Sequence, residues 1–142
     1  MTKKTFDKKL GVIPVSSKKG YCKLKLKIKP EYLNDGDIVH GGVIATLCDI
    51  TLAGALNHVL KKDEWCVTAE LNIYFLNPAY LSDTLFGYGK LVKRGNTLAF
   101  VEGSIETADK RKIAAAQGIW VIKSKPGKKN KTSTTQKQII CQ

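Results

Sequence analysis

Asp49 stands where a charged residue is least expected. From His40 the chain reads HGGVIATLCDITLAGALNHVL, and between Val43 and Leu56 Asp49 is the one strongly polar side chain, with Thr46 and Thr51 as mild exceptions. Apolar residues at i, i+3 and i+4 run almost all the way round, the pattern of a core helix. An unpaired carboxylate in such a place costs several kcal/mol or more, so Asp49 is either neutralised by neighbours or kept because chemistry needs it. Nucleophilic attack and general-base work are what a desolvated carboxylate can do.

Eight residues earlier, Gly41 and Gly42 open the same segment. The first N–H groups of a helix have no partner inside it, and together with the positive end of the helix dipole they can hold an oxygen that gathers negative charge. Two glycines also let a ligand come close to the backbone. Asn34 offers an amide and His40 an imidazole just ahead of these donors. Eight residues at 1.5 Å each put Gly41 and Asp49 about 12 Å apart along one helix, too far to act on one atom. A two-fold pair of antiparallel helices would set Gly41 of one subunit beside Asp49 of the other. The spacing hints at a site shared across a dimer.

The elements that must hold these groups follow from periodicity. Tyr21–Lys29 alternates strictly: Cys22, Leu24, Leu26 and Ile28 face one way and Lys23, Lys25, Lys27 and Lys29 the other, a half-buried strand. A short strand at Gly11–Ser16 precedes it, and Pro30 ends the pairing. The helix is expected over roughly Gly41–Leu60. Strand-like runs follow at Cys66–Leu76, Thr84–Lys93, Thr97–Thr107 and Lys112–Lys123, the later ones joined by short turns at Arg94-Gly95-Asn96 and Ala108-Asp109-Lys110. Short turns argue for antiparallel hairpins. The expected architecture is α+β, an antiparallel sheet wrapped around one long helix. One sheet cannot cover a helix that is apolar on every face, so a second subunit is expected to supply the remaining cover.

The 142 residues suit one domain with a substantial core. Its bounds are expected at 10–124, with a flexible basic segment at 1–9 and a disordered basic tail at 125–142, where the composition turns to KPGKKNKTSTTQKQIICQ. The net charge of +12 is concentrated in the flanks: residues 1–29 carry +9, residues 123–142 carry +6, and the centre is net acidic at −3. A nucleic-acid reading would rest on those flanks alone, and no aromatic-rich basic stripe or recognised module supports it. Cys22, Cys48, Cys66 and Cys141 have no CxxC spacing, and three lie in apolar or alternating segments, where a free thiol behaves as a small hydrophobe. The expected setting is reducing and cytoplasmic. No run approaches the ~20 apolar residues of a membrane span. His40 and His58 lie far apart, no Cys/His pair has ligand spacing, and neither metal nor cofactor is expected.

The motif Asn34-x5-His40-Gly41-Gly42-x6-Asp49, followed in order by Thr68-Ala-Glu-Leu-Asn72-Ile, Leu76-Asn-Pro78-Ala and Lys93-Arg94-Gly95-Asn-Thr-Leu-Ala-Phe-Val-Glu102, resembles the hotdog-fold acyl-CoA thioesterases, in particular their PaaI-like branch. The resemblance runs from about Leu10 to Lys123. It implies hydrolysis of an acyl-CoA thioester to free acid and CoA. Asp49 is similar to the family's catalytic carboxylate, nucleophile or general base. Gly41 N–H would polarise the thioester carbonyl, Asn34 and His40 would organise the loop and the attacking water or the sulfur, and Thr68 would assist Asp49. Gly42, Lys93, Arg94 and Gly95 would contribute to holding CoA. A homodimer with shared sites, paired again into a homotetramer, is the implied assembly. At one position the chain departs from the family: three residues after the Asn a glycine is usual, and here Asp37 stands there, with Gly36 before it.

Bland readings compete with several of these roles. On alternation alone Thr68 is an ordinary strand residue in step with Glu70, Asn72 and Tyr74. A histidine beside glycines more often fixes a loop than performs catalysis, and that role is kept for His40. Lys93 and Arg94 fit a solvated hairpin tip as well as a phosphate grip. Within the fold, the rival functions are an acyl-thioester dehydratase or hydratase and a non-catalytic acyl-CoA-binding protein. The first usually sets an essential His against an acid on a differently marked helix; the second has no use for the desolvation cost of Asp49.

Overall fold

A computed structural model describes residues 3–126. Two helices and six strands follow in the order α1 (Phe6–Leu10), β1 (Ile13–Lys18), β2 (Tyr21–Lys27), α2 (Gly41–Gly54), β3 (Glu64–Phe75), β4 (Thr84–Arg94), β5 (Leu98–Thr107) and β6 (Lys112–Ser124), with one 3₁₀ turn at Pro30–Tyr32. The strands form one antiparallel sheet in the order β1-β2-β4-β5-β6-β3. The chain therefore leaves β2, crosses α2 over the sheet, forms the far edge with β3, and fills the middle with the β4–β5–β6 meander.

Alternation decides which side of the sheet meets the helix. Leu24 and Leu26 on β2, Leu85 on β4, Val101 and Ile105 on β5, and Ala114, Trp120 and Ile122 on β6 are buried beneath α2. From the helix, Ile44, Leu47, Cys48, Thr51 and Leu52 complete that core. Each large apolar side chain so buried contributes roughly 1.5–3 kcal/mol. The approach is close because β4 carries Gly87 and Gly89: a Cβ on Gly87 would lie 2.1 Å from Thr51 Oγ1, and one on Gly89 would lie 2.5 Å from the Thr51 carbonyl oxygen. On the outward side of α2, Gly42 is exposed and Val43, Ala45, Thr46, Asp49 and Ile50 are only half-buried. One chain leaves that face open, as the all-round apolar pattern leads one to expect.

Three expectations change in detail. The helix ends at Gly54 rather than near Leu60. Beyond it Ala55, Leu56, Asn57 and Val59 donate to carbonyls three residues back, so the chain tightens into turns that satisfy the last helical carbonyls. Gly54 is held against Cys22, whose Sγ would be 2.5 Å from any Cβ there. The segment 1–9, expected to be flexible, contributes most of α1, a short helix that buries Leu10 and is closed by Gly11 at φ +81. The strand expected at Gly11–Ser16 forms two residues later as Ile13–Lys18. Residues 127–142, which make up most of the expected tail, lie outside the described residues.

Candidate active site

The loop before α2 is built by Asn34. Its Oδ1 accepts from Gly36 N–H at 2.9 Å and from Ile38 N–H at 3.4 Å, while its own N–H donates to the Ile38 carbonyl at 2.8 Å. An Asn side chain that bonds the backbone two residues on fixes a turn in this way. The Nδ2 amide protons of Asn34 find no acceptor among the described residues. Asp37 closes the turn at φ +57. That left-handed conformation accounts for the glycine usual at this position, and aspartate is among the residues that enter it most readily. The departure leaves the loop in place.

His40 caps α2. Its Nδ1 accepts from Gly42 N–H at 2.8 Å, so a neutral ring carries its proton on Nε2. Val43 and Ile44 N–H both donate to the His40 carbonyl. With Gly42, Val43 and Ile44 so engaged, Gly41 N–H is the donor of the first turn that has no acceptor among the described residues. Helix geometry points that orphan donor off the N-terminal end. His40 thus acts as a cap, the loop-fixing role expected of it.

Asp49 lies two turns on, half-buried on the face of α2 turned toward β3. Thr68 Oγ–H donates to Asp49 Oδ1 at 2.7 Å. The second carboxylate oxygen has no partner among the described residues. Thr68 reaches Asp49 through a fault in the sheet. Thr68 pairs with Trp120 and Glu70 with Ile119, which leaves Ala69 as an extra residue, a β-bulge. Alternation would put Thr68 on the outer face with Glu70, Asn72 and Tyr74; the bulge turns it to the inner face with Leu71, Ile73 and Phe75. Bulges commonly re-aim a side chain next to a site. Beside Asp49, burial and then the Asp49 charge push the Cys48 thiol up to about 12, so this thiol is inert at ordinary pH.

The remaining candidates separate from this cluster. Arg94 forms an ion pair with Glu64 and donates to the Gly95 carbonyl. Glu64 also accepts from Lys61 N–H at 2.8 Å, and the Arg94 bond first, then the Lys61 bond, holds its carboxyl below the ordinary value. Gly95 N–H closes the hairpin on the Leu98 carbonyl at 2.7 Å. Lys93 lies on the outer face, lining a groove of about 490 Å³ with Glu70, Val92 and Phe100. A larger outer groove of about 840 Å³ includes Tyr21, Asn72, Tyr88 and Lys90. Neither groove includes Asp49 or Gly41. Against expectation, this outer face also carries a basic aromatic array, with Lys23 over the Phe86 and Tyr88 rings at 5.2 and 5.3 Å. Among the described residues no three His, Cys, Asp or Glu side chains gather as a metal site, and no helix is long and apolar enough to cross a membrane.

A residue that spacing did not single out stands beside Gly41. Phe75 closes the inner-face row of β3, and its ring Cε1 and Cζ lie 3.6 and 3.9 Å from the position a Gly41 Cβ would take. Phe75 is 56% exposed. It could have been found only by placing the bulge, which decides whether Phe75 faces inward.

A sheet around a capped helix, with a hydroxyl-bonded carboxylate and an unused N–H at the helix start, suits acyl transfer to water. Comparison with known proteins agrees, since the sequence profile of the thioesterase superfamily matches residues 36–114. The chain belongs to the thioesterase superfamily. Human acyl-coenzyme A thioesterase 13 is 31% identical over 117 residues, covering 81% of this chain and 83% of the human protein. Among solved structures, the Escherichia coli PaaI protein from the phenylacetic acid degradation operon superposes with a TM-score of 0.75 at 23% identity, over 81% of both chains. A Streptococcus mutans UA159 protein solved bound to acetyl CoA gives a TM-score of 0.75 at 26% identity, over 89% of this chain and 97% of that one. The expected hotdog architecture holds, and this thioesterase-superfamily chain is a thioester hydrolase.

Proposed function

We propose that the protein hydrolyses acyl-CoA thioesters with Asp49 as the attacking or proton-accepting group. The observation that carries this reading is the Thr68 hydroxyl bonded at 2.7 Å to one oxygen of Asp49 while the other oxygen stays open. A carboxylate held by one oxygen and free at the other is oriented to act. The reading draws further support from the acetyl CoA found in the Streptococcus mutans relative and from the name of the human one.

In the general-base form, Asp49 takes a proton from water as the water oxygen attacks the thioester carbonyl carbon. The carbonyl oxygen becomes an oxyanion and gains its hydrogen bond from Gly41 N–H, a donor fixed before reaction begins. Collapse of the tetrahedral species breaks the C–S bond; the proton on Asp49 passes to the departing thiolate, leaving free acid and CoA. In the nucleophilic form, Asp49 attacks the carbonyl carbon itself and the C–S bond breaks, releasing CoA thiolate and leaving a mixed anhydride. Water then hydrolyses the anhydride to the free acid and the Asp49 carboxylate, its remaining proton going to the thiolate. Asn34 Nδ2 is available to position the water or the sulfur in either form. On CoA, Gly42 and Gly95 would offer close backbone approach. Lys93 is the freer cation for its phosphates, because Arg94 is already engaged with Glu64.

One chain cannot supply both reacting ends. Gly41 and Asp49 are separated by about 12 Å along α2, while attacking and attacked atoms must meet within ~3–3.5 Å. The site is therefore formed between two subunits whose α2 helices run antiparallel, which also covers the open face of α2. Two such dimers pair into a tetramer. The test is a panel of acyl-CoAs of graded size, assayed for released thiol with wild type and Asp49→Asn. Wild-type turnover and a loss of at least a thousandfold in kcat for Asp49→Asn, with an unchanged melting temperature, is the expected result. Wild-type rates in the folded variant would refute the assignment.

A further inference from the structure

Phe75 is more than half exposed, yet it lies against Gly41, whose N–H has no acceptor among the described residues. Past the bulge its row on β3 is apolar, with Leu71 and Ile73 half-buried beside it. We propose that Phe75 is a specificity-determining residue that limits bulk at the α-carbon of the acyl group. The inference rests on the reading of Gly41 N–H as the carbonyl-polarising donor.

A carbonyl oxygen on that N–H sits about 2.9 Å from the nitrogen, and the two substituents of its carbon extend only one bond further. The ring occupies space 3.6 Å from the Gly41 Cβ position, so one of those substituents packs against it. Phe75 offers no hydrogen-bond partner, and neither do Leu71 and Ile73. The amide-bearing arm of CoA needs such partners, whereas an acyl chain does not. The ring therefore flanks the acyl side, within van der Waals reach of the first carbon after the carbonyl. A CH₂ there lies along the ring edge; a second substituent on that carbon meets the ring. One methyl group in such a place changes kcat/KM on the order of tenfold or more.

The experiment compares matched acyl-CoAs, unbranched and 2-methyl-branched, at the chain length that wild type hydrolyses fastest. Wild type is expected to favour the unbranched substrate by on the order of tenfold. In Phe75→Ala the preference should fall to about threefold or less, chiefly through a gain on the branched substrate relative to the unbranched one. Phe75→Leu, which keeps an apolar side chain, should be intermediate, and it serves as the test if Phe75→Ala does not fold. A wild type indifferent to branching, or a folded variant with the wild-type ratio, would overturn the proposal. Gly41→Ala separates the two readings. If that variant loses hydrolysis while the Phe75 variants keep the wild-type ratio, only the role of Phe75 falls; full activity in Gly41→Ala removes the premise.

Discussion

Thr68→Val removes one oxygen atom and preserves the shape of the side chain, its β-branching and its place on β3. What it deletes is the hydrogen bond from Thr68 Oγ to Asp49 Oδ1, whose 2.7 Å length falls in the short range of bonds to a carboxylate. Hydrogen bonds to charged groups are worth about 1.5–3 kcal/mol. At about 1.36 kcal/mol per tenfold in rate, loss of that orientation slows catalysis roughly ten- to a hundredfold. The effect should appear in kcat with KM within about threefold, because Thr68 holds Asp49 and not the substrate. Thr68→Ser returns the hydroxyl and should recover most of the rate, which a packing role for the methyl group would not produce. Steady-state kinetics on one acyl-CoA, with melting curves to verify folding, decide the matter. Wild-type kcat in folded Thr68→Val would show that the bulge at Ala69 serves the sheet and not the site.

Two further perturbations separate stability from catalysis. In Gly41→Ala the added Cβ meets the Phe75 ring at an ordinary 3.6 Å, so the melting temperature should hold or rise slightly, while kcat/KM should fall on the order of tenfold or more as the methyl crowds the carbonyl; a drop in both together would refute the reasoning. Glu64→Gln should cost about 1–3 kcal/mol at neutral pH by leaving Arg94 without its carboxylate. Because the folded Glu64 carboxyl is held below the ordinary 4.5, its stabilisation is complete above that value and disappears as the pH falls through the folded value. The stability gap between wild type and Glu64→Gln, measured by urea unfolding at fixed protein concentration, should therefore close in acid; a gap independent of pH would contradict the pairing.

The strands were readable because β2 alternates strictly and short Gly- or Asp-containing turns punctuate β4, β5 and β6. The reach of α2 was not, because its apolar pattern continues to Leu60 while the hydrogen bonds tighten after Gly54, and hydropathy does not record that change. At the site, Asp49, Gly41 and Asn34 were visible as residues out of keeping with their surroundings. Thr68 was visible only through family likeness, since a bulge inverts the alternation by which a strand is read. Phe75 was hidden by the same bulge. Arg94 was ambiguous because its partner Glu64 is distant in sequence, and the β4–β5, β5–β6 and β6–β3 pairings together are needed to bring the end of β4 near the start of β3. The proposed dimer would cover the open face of α2, and a sequence announces that need without specifying the register.

The central claim is that Asp49 of one subunit and the Asn34–Gly41 loop of another act on the same thioester. Asp49→Asn protein and Asn34→Asp protein, each expected to be inactive alone, can be unfolded and refolded together so that subunits mix. Asn34→Asp keeps the acceptor that holds the turn and removes the Nδ2 donor. Each heterodimer would then contain one site with both lesions and one with neither. The measurement is acyl-CoA hydrolysis by the mixture, with heterodimer content taken from native mass spectrometry. Activity returning to about half the wild-type rate per heterodimer, the one-intact-site arithmetic of a two-fold interface, is the predicted result. No recovery in a mixture that demonstrably contains heterodimers would place all the catalytic groups in one chain and contradict the account.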